Sequence, residues 1–153
     1  MSTSSKQIPG LTVRRIKEED IASVFEIDSK NTGKNRALTY ATIPYSYVGG
    51  EMDISMVAEV DKQVVGFLFG KLADSHQGTA DIAFMQLMGV DPAYHHRGIG
   101  TALIRGFIDR CQQKGVKSVH SFASSQDQWM LSFLNSLGFV RGDMTEFIKP
   151  IEY

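Results

Sequence analysis

The sequence predicts one domain built on a mixed α/β sheet with helices packed on it. The first observation is length, because 153 residues are enough to bury one stable core. The second is the order of the hydrophobic patterns, which follow one another as β, α, α, β-β-β, α, β, α, β. No repeat, linker or low-complexity segment divides the chain. We therefore expect a flexible start over residues 1–10 and a single domain over residues 11–153.

The individual elements follow from apolar spacing and from the residues that interrupt it. Strands alternate apolar and polar residues or form short apolar runs, whereas helices repeat apolar residues every three or four positions. Asp61 and Lys62 form a natural two-residue hairpin, and Pro92 ends a strand. Gly115 suits the end of a helix. The predicted elements are strand 11–16, helix 17–30, a short irregular helix and loop over 31–50, strands 52–60, 63–72 and 81–92, helix 98–114 with the stripe Ile99, Ala102, Leu103, Phe107 and Ile108, strand 118–124, a helix ending before Gly138, and a final strand or broken strand pair over 139–151.

Composition excludes several classes of protein. A formal net charge of −1 gives no electrostatic case for general nucleic-acid binding. The single cysteine, Cys111, cannot form an internal disulfide and fits a reducing compartment. The longest apolar stretch, Val64–Phe69, is too short to span a bilayer, and the polar start lacks a signal-peptide pattern. We expect a cytoplasmic protein without nucleic-acid or membrane partners.

The stretch YHHRGIGTAL is the most specific signal in the chain, because it lies where a predicted strand gives way to a helix. The unpaired amides and the dipole of a helix N-terminus attract anions. Gly98 and Gly100 would let a phosphate approach the backbone, while Arg97, with His95 or His96 when protonated, would add positive charge. The alternative is that both glycines only tighten the corner between strand and helix.

Two common nucleotide motifs do not fit this turn. The dinucleotide pattern G-x-G-x-x-G needs a third glycine where Leu103 stands, and an acidic residue about 20 positions further on, which the segment 117–120 does not offer. A Walker loop needs Gly-Lys-Ser/Thr, which does not occur in the chain.

The segment VDPAYHHRGIGTAL, residues 90–103, resembles the coenzyme A pyrophosphate motif of the GNAT N-acetyltransferase superfamily, Q/R-x-x-G-x-G/A. The late segment SFLNSLGF and the opening LTVRRIKEEDIASV are similar to two further signatures of that family. The resemblance implies a mostly antiparallel mixed sheet flanked by helices. It also implies that acetyl-CoA is the co-substrate, and that a primary amine of a small molecule, peptide or protein attacks it directly.

The resemblance also implies a cofactor site. Backbone amides of the turn would hold the pyrophosphate, and the preceding strand would splay from its neighbour and pair with the pantetheine arm. The Met88 amide would face the thioester carbonyl, and the family's late asparagine falls on Asp127. The residues implied to bind the cofactor are Met88, Gly89, Val90, His95, His96, Arg97, Gly98, Ile99, Gly100, Thr101 and Asp127.

The chain departs from the family pattern mainly where proton transfer is expected. His95 occupies the Q/R position of the motif. The family's tyrosine that often acts as the general acid corresponds to Leu134, and its glutamate that often acts as the general base corresponds to Phe84. Gln86 shares the strand parity of Phe84, and Asp81 is the carboxylate at the start of this strand. Asp81 has the wrong parity unless a bulge intervenes, and its alternative role is that of a hairpin-end residue. A base acting through water, or an amine that arrives neutral, would fill this gap.

The acceptor is the least determined part of the function. The resemblance places Tyr40, Tyr45 and Tyr47 on one wall of the acceptor cleft, with Glu51 and Asp53 attracting a cationic amine. The alternative is that the tyrosines pack an irregular helix and the acids are solvated.

Other features leave further alternatives open. The four histidines lack ligand spacing, so we expect no metal site. Cys111 is interpreted as a small core or surface residue, and Trp129 as a packing residue. A non-catalytic acyl-CoA-binding module is the rival function. The sheet edges or the C-terminal strand are plausible surfaces for a homodimer.

Overall fold

Five strands and three helices make up the part of the chain that the structure, a computed structural model, describes: residues 8–32, 54–73 and 81–153. Single 3₁₀ turns precede two of the helices, over Glu18–Asp20 and Pro92–Tyr94. The elements are β1 Leu11–Arg15, α1 Ile21–Thr32, β2 Met56–Val60, β3 Gln63–Leu72, β4 Ile82–Val90, α2 Ile99–Gln113, β5 Ser118–Ser121 and α3 Gln128–Ser136.

The chain divides into two compact units, one ending at Phe122 and the other running from Ala123 to Tyr153. The first unit contains the whole sheet with α1 and α2, and the second contains α3. A single domain over 11–153 stays a prediction.

The sheet has the order β1-β2-β3-β4-β5, and all of its neighbours are antiparallel except β4 and β5, which are parallel. This confirms the predicted mixed, mostly antiparallel sheet. Asp61 and Lys62 both have positive φ, 50° and 68°, as the two central residues of a tight hairpin turn of this type require. The predicted hairpin is therefore confirmed.

Helix α1 covers one face of the sheet. Ile21, Val24 and Ile27 are buried in one cluster with Phe67 and Phe69 of β3, whose rings lie 5.2 Å apart. The predicted helix differs at its ends, because residues 18–20 form a 3₁₀ turn and the α-helix continues to Thr32. The acidic first turn was thus correctly located but belongs to the 3₁₀ segment.

Helix α2 covers the opposite face and approaches β3 closely. Gly66 lies against Ile99 and Leu103, and Gly70 lies against the ring of Phe107. Because neither glycine carries a side chain, the apolar ridge of the helix can sit directly on the strand. The completely or nearly buried stripe of α2 is Ile99, Leu103, Ile104, Phe107 and Cys111.

Cys111 belongs to the core. Its side chain is 2% exposed, and burial raises the pKa of the thiol to about 11. A thiol that stays protonated at neutral pH is a poor nucleophile, so the structural alternative is the one observed.

The predicted final strand is wrong. Residues 139–153 contain no strand, and β5 ends at Ser121, three residues earlier than expected. A strand needs a second strand to pair with, and the 123–153 unit has none. The alternating apolar pattern therefore yields exposed side chains instead: Val140, Met144, Phe147, Ile148, Ile151 and Tyr153.

We expect Gly70→Ala to destabilise the protein, because a methyl group there overlaps the ring of Phe107. Overpacking of this kind costs about 1–3 kcal/mol. Urea unfolding measures the change, with Gly142→Ala as the control, since the added methyl at 142 meets no atom of the described chain within 4 Å. Equal midpoints for the two variants would contradict the close packing of α2 on β3.

Candidate functional site

Strand β4 loses one of its two neighbours halfway along its length. Its pairing with β5 covers only Ile82–Met85, whereas its pairing with β3 continues to Val90. From residue 86 to 90, the side of β4 that faces away from β3 is therefore not paired with β5. We call this side the open edge. The family resemblance implied a splayed strand here; the structure shows that pairing with β5 ends at Met85, where β5 itself ends at Ser121.

A β-bulge lies where the open edge begins. Leu87 faces Phe69 in the register of β3, but Met85 faces Gly70, so Gln86 is the extra residue of β4. A bulge of this type shifts the alternation of the bulged strand by one residue. The two halves of β4 thus present different residues to the same side.

The phase of the second half follows from one hydrogen bond. Asp91 N donates to Val65 O over 2.8 Å, and in an antiparallel ladder every second residue faces the same neighbour. Gly89 therefore also faces β3, while Met88 and Val90 direct their backbone N–H and C=O groups to the open edge. The Met88 amide thus lies on the open edge, and its contact with the cofactor stays a prediction.

The first half of β4 has the opposite phase. Ile82 O accepts a hydrogen bond from Ala73 N of the β3 side, so even-numbered residues face β3 before the bulge. An unbulged β4 would keep that phase and would direct Met88 into the β3 ladder. Gln86 therefore decides which amides reach the open edge.

Gly89 has a packing role at this point. A Cβ atom there would lie 2.6 Å from Cε1 of Phe67, so only glycine lets the aromatic ring lie against the strand. Its backbone groups belong to the β3 ladder, so they do not reach the open edge.

The turn after β4 is held by Asp91. The carboxylate of Asp91 accepts a hydrogen bond from Ala93 N (3.0 Å) and pairs with Lys30 Nζ of α1 (3.2 Å). The Ala93 amide, with a smaller contribution from Lys30, holds the pKa of Asp91 below its ordinary value, although burial acts the other way. The ionised carboxylate thus fixes the 3₁₀ turn and the end of α1 together.

The N-terminus of α2 has no side-chain cap. Gly98 is the N-cap, with a φ of 79°, and the first helical hydrogen bond runs from Ala102 N to Gly98 O (3.0 Å). The amides of Ile99, Gly100 and Thr101 precede that bond and lie outside the helix ladder. The corner between strand and helix therefore presents several backbone donors, as an anion site requires.

Exposed nitrogen-bearing side chains, one of them a guanidinium, lie next to these amides in the chain. His95, His96 and Arg97 are all exposed, and the Arg97 guanidinium lies 5.7 Å from the centre of the Tyr94 ring. His96 has a φ of 62°, so positive φ occurs at both 96 and 98, on either side of Arg97. Such alternation is typical of backbone nests that bind anions. The amide of His95 is already used, since it donates to Pro92 O over 3.3 Å.

Two side chains converge on the carbonyl of Val90. Asn31 Nδ2 donates to Val90 O over 2.9 Å, and His95 Nε2 lies 2.8 Å from the same atom. Because a carbonyl only accepts, the Nε2 atom of His95 carries hydrogen. The contacts join α1, β4 and the turn. Asn31 was missed from sequence because it lies 59 positions from Val90.

Asp127 caps α3. Its Oδ1 accepts a hydrogen bond from Met130 N over 3.0 Å. An aspartate just before an apolar helical pattern is itself a cap signal, which the cofactor interpretation passed over. The cofactor contact of Asp127 stays a prediction. Trp129, interpreted as a packing residue, is largely exposed and stacks on Phe133 with 5.2 Å between ring centres.

The two candidate bases lie in unfavourable places. Asp81 directly precedes β4 and forms an ion pair with Lys117 (3.8 Å). It is separated from Met88 by seven residues along the strand, which is roughly 20 Å. It lies at the start of β4, and its role as a base stays a prediction. Gln86 is exposed in the bulge, and the bulge removes the parity argument that linked it to Phe84. Phe84 stacks on Phe122 with 6.0 Å between ring centres.

Several predicted features lie outside the described residues: Tyr40, Tyr45, Tyr47, Glu51 and Asp53. Among residues 8–32, 54–73 and 81–153, no group of three or more His, Cys, Asp or Glu side chains is placed to hold a metal ion. Within the same ranges, no helix is both long enough and apolar enough to cross a membrane.

Solved acetyltransferases share this fold. AAC(6')-Iy in complex with a bisubstrate analogue of coenzyme A superposes with a TM-score of 0.76, covering 92% of this chain and 98% of that one at 15% identity. The ribosomal-protein-S18-alanine N-acetyltransferase from Escherichia coli gives a TM-score of 0.71, covering 87% and 79% at 20% identity. At these identities the likeness establishes the fold alone, which is the fold of an acetyltransferase.

The chain belongs to the acetyltransferase (GNAT) family, whose model matches residues 21–139. The family and fold predicted from the glycine turn and its flanking segments are thereby confirmed. The chain is 33% identical over 87 residues to a mycothiol acetyltransferase of Renibacterium salmoninarum, covering 57% of this chain and 25% of the relative. It is 29% identical over 125 residues to an L-2,4-diaminobutyric acid acetyltransferase of Nocardia farcinica, covering 80% and 61%. It thus spans from a quarter to about three fifths of these relatives.

We expect the Asp91 carboxylate to make stability depend on pH. Its pKa is lowered in the folded state, so its ionised form stabilises the fold above the unfolded pKa of about 3.9, and this contribution disappears as the pH falls through the folded pKa. Unfolding free energies of the wild type and Asp91→Asn should differ most near neutral pH and converge in acid. A difference that stays constant from pH 7 to pH 2 would show that the charge is not involved.

Proposed function

We propose that this protein transfers the acetyl group of acetyl-CoA to a primary amine. One observation carries the proposal: the uncapped, electropositive N-terminus of α2 directly follows the open edge on which the Met88 amide lies. Coenzyme A has two parts that such a site would hold. Its pyrophosphate is an anion that the helix N-terminus would bind, and its pantetheine arm is an extended chain that would lie along the strand.

The open edge limits how the arm can pair. Met88 offers both its N–H and its C=O, and Val90 offers its N–H. The Val90 carbonyl already accepts from Asn31 and His95. The pyrophosphate would then lie on the amides of residues 99–101, and the thioester carbonyl would accept from Met88 N. In this arrangement the side chains of Asn31 and His95 end the pairing and orient the turn.

The chemistry needs no covalent enzyme intermediate. The amine nitrogen attacks the thioester carbonyl carbon, a C–N bond forms, and the carbonyl oxygen takes up negative charge. The Met88 N–H donates to that oxygen. Collapse then breaks the C–S bond, the thiolate leaves on coenzyme A, and the amine loses a proton to solvent. One fixed donor of this kind contributes roughly 10²–10³ in rate.

Proton transfer is the step for which the described residues offer the fewest candidate acids and bases. Leu134 and Phe84 occupy the positions of the family's usual acid and base, and neither can exchange a proton. A thiol is a good leaving group, so the thiolate can depart without a protein acid. We propose that the amine arrives neutral or is deprotonated through water.

The acceptor is proposed only as a class. One relative is named for mycothiol and another for L-2,4-diaminobutyric acid, which supports a primary amine on a small molecule, while a peptide or protein amine stays open. Tyr40, Tyr45 and Tyr47 remain the proposed acceptor wall. A cytoplasmic location, the absence of nucleic-acid and membrane partners, and a homodimer also remain predictions.

A second candidate function is a module that binds acyl-CoA without turning it over. The apolar residues at positions 84 and 134 favour it. Both functions require the same cofactor site, so only turnover distinguishes them.

We expect Gly98→Ala to weaken binding of coenzyme A and acetyl-CoA by about tenfold or more, because φ near 79° strains an L side chain and Gly98 directly precedes the donor amides of residues 99–101. Titration calorimetry measures this. Gly115→Ala is a matched control, since Gly115 has a φ of 76° at the other end of the same helix with no atom within 4 Å.

Comparable strain at Gly115 should leave affinity within about twofold. Loss of affinity in both variants would mean that helix stability, not the anion site, is responsible. The wild type must also bind coenzyme A and acetyl-CoA in preference to ATP and NAD. If it binds neither of the two CoA species, the proposed function is withdrawn.

We expect the wild type to release coenzyme A from acetyl-CoA only when a primary amine acceptor is added. A thiol-reactive dye follows release, and mass spectrometry of the acceptor follows amide formation. The rate should rise with pH through the range in which the acceptor amine becomes neutral, because only the neutral amine attacks. Tight binding of acetyl-CoA with no transfer to small amines, aminoglycosides or peptides would instead support the binding module.

A further inference from the structure

Ser55 lies one residue before β2, and its side chain is completely buried. Its hydroxyl accepts a hydrogen bond from Gly70 N (3.2 Å) and donates one to Gly70 O (3.4 Å). Gly70 is the β3 residue at which the register with β4 shifts. One hydroxyl group thus satisfies both backbone groups of β3 beside the bulge.

The topology explains why a side chain is needed there. Val65 O bonds to the β4 side, so the alternate β3 residues, including Leu68 and Gly70, direct their backbone groups toward β2. The main-chain ladder of β2 ends with Met56, opposite Leu68. Gly70 lies two residues beyond, where buried backbone groups need another partner. The hydroxyl of Ser55 takes the place of the missing ladder bond.

Gly70 is also fixed on the face of the sheet. The ring of Phe107 lies against its Cα, where no side chain fits. Ser55 therefore holds Gly70 within the plane of the sheet, and Phe107 holds it from the α2 face. The strand opposite the bulge cannot shift without breaking one of these contacts.

We propose that Ser55 is a positioning residue for acetyl transfer: by holding Gly70 it keeps the one-residue bulge at Gln86 and so directs the Met88 amide to the open edge. The inference rests on the proposed function, because the amide matters only if a thioester lies against it. Ser55 itself contacts no reacting atom, and its effect reaches the thioester through β3 and β4.

Ser55→Ala tests the role. We expect its kcat to fall about tenfold or more while KM for acetyl-CoA changes by less than about twofold, since the pyrophosphate site is intact and only transition-state stabilisation is lost. Val60→Ala, a truncation at the other end of the same strand, is the control for general loss of stability. Urea unfolding measures how much stability each variant loses. Val60→Ala should keep the kcat of the wild type although its loss of unfolding free energy is comparable to that of Ser55→Ala.

A direct readout monitors the amide itself. In nitrogen-15 spectra of the full chain, exchanging bound coenzyme A for acetyl-CoA should shift the Met88 amide more than that of Gly89, which faces β3. In Ser55→Ala the Met88 response should shrink, whereas in Val60→Ala it should persist. A merely structural contribution of Ser55 would not separate the two variants in this measurement.

The outcomes distinguish this inference from the function on which it rests. If the wild type binds neither CoA species, the proposed function fails. If it binds them and transfers acetyl, but Ser55→Ala matches Val60→Ala in kcat and in the Met88 response, the positioning role is overturned and the function stands. Should Ser55→Ala not fold, Ser55→Cys retains the shape with weaker hydrogen bonds. A partial loss of kcat in Ser55→Cys, relative to the wild type, supports the role, and an unchanged kcat overturns it.

Discussion

The site depends on one extra residue in β4. A regular strand offers alternate backbone groups to each neighbour, so β4 could not both pair with β5 in the phase seen at Ile82–Met85 and direct the Met88 amide away from β3. The bulge at Gln86 resolves this conflict by changing the phase. The open edge, the turn and the uncapped helix all follow the bulge in the chain. The bulge therefore sets which backbone groups of β4 face the open edge before the chain enters the turn.

In the proposed cofactor site, recognition would be carried by the backbone. The amides of residues 99–101 and the groups of Met88 and Val90 are fixed by secondary structure, whereas His95, Asn31 and Asp91 orient them. This explains why the chain can depart from the family pattern at His95 without losing the geometry of the turn. A glutamine or arginine in the same slot would still be a donor, and the imidazole at 95 donates to the carbonyl that closes the strand.

Local signals predicted the parts of the fold that are locally determined. The hairpin at Asp61-Lys62, the corner at Gly98 and the end of α2 at Gly115 depend on backbone preferences of the residues themselves, and all three were located from sequence. The contacts of Ser55 with Gly70 and of Asn31 with Val90 join residues 15 and 59 positions apart, so no local pattern announces them. The same limit applies to the bulge, which invalidated the parity assigned to Gln86, and to residues 139–151, where a strand pattern occurs without a strand to pair with.

The location of the departures bears on the choice between catalysis and simple binding. Leu134 and Phe84 stand where the family resemblance implies an acid and a base, while the N-terminus of α2 and the open edge present backbone donors. A module that only held acyl-CoA through its pyrophosphate would need the turn and α2 but would gain nothing from an amide aimed at the thioester. In the proposed arrangement that amide depends on the bulge in β4 and, through Gly70, on the buried hydroxyl of Ser55. Because a thiolate leaves readily and a neutral amine needs no base to attack, the donors that the chain presents are those on which the proposed acetyl transfer would depend most.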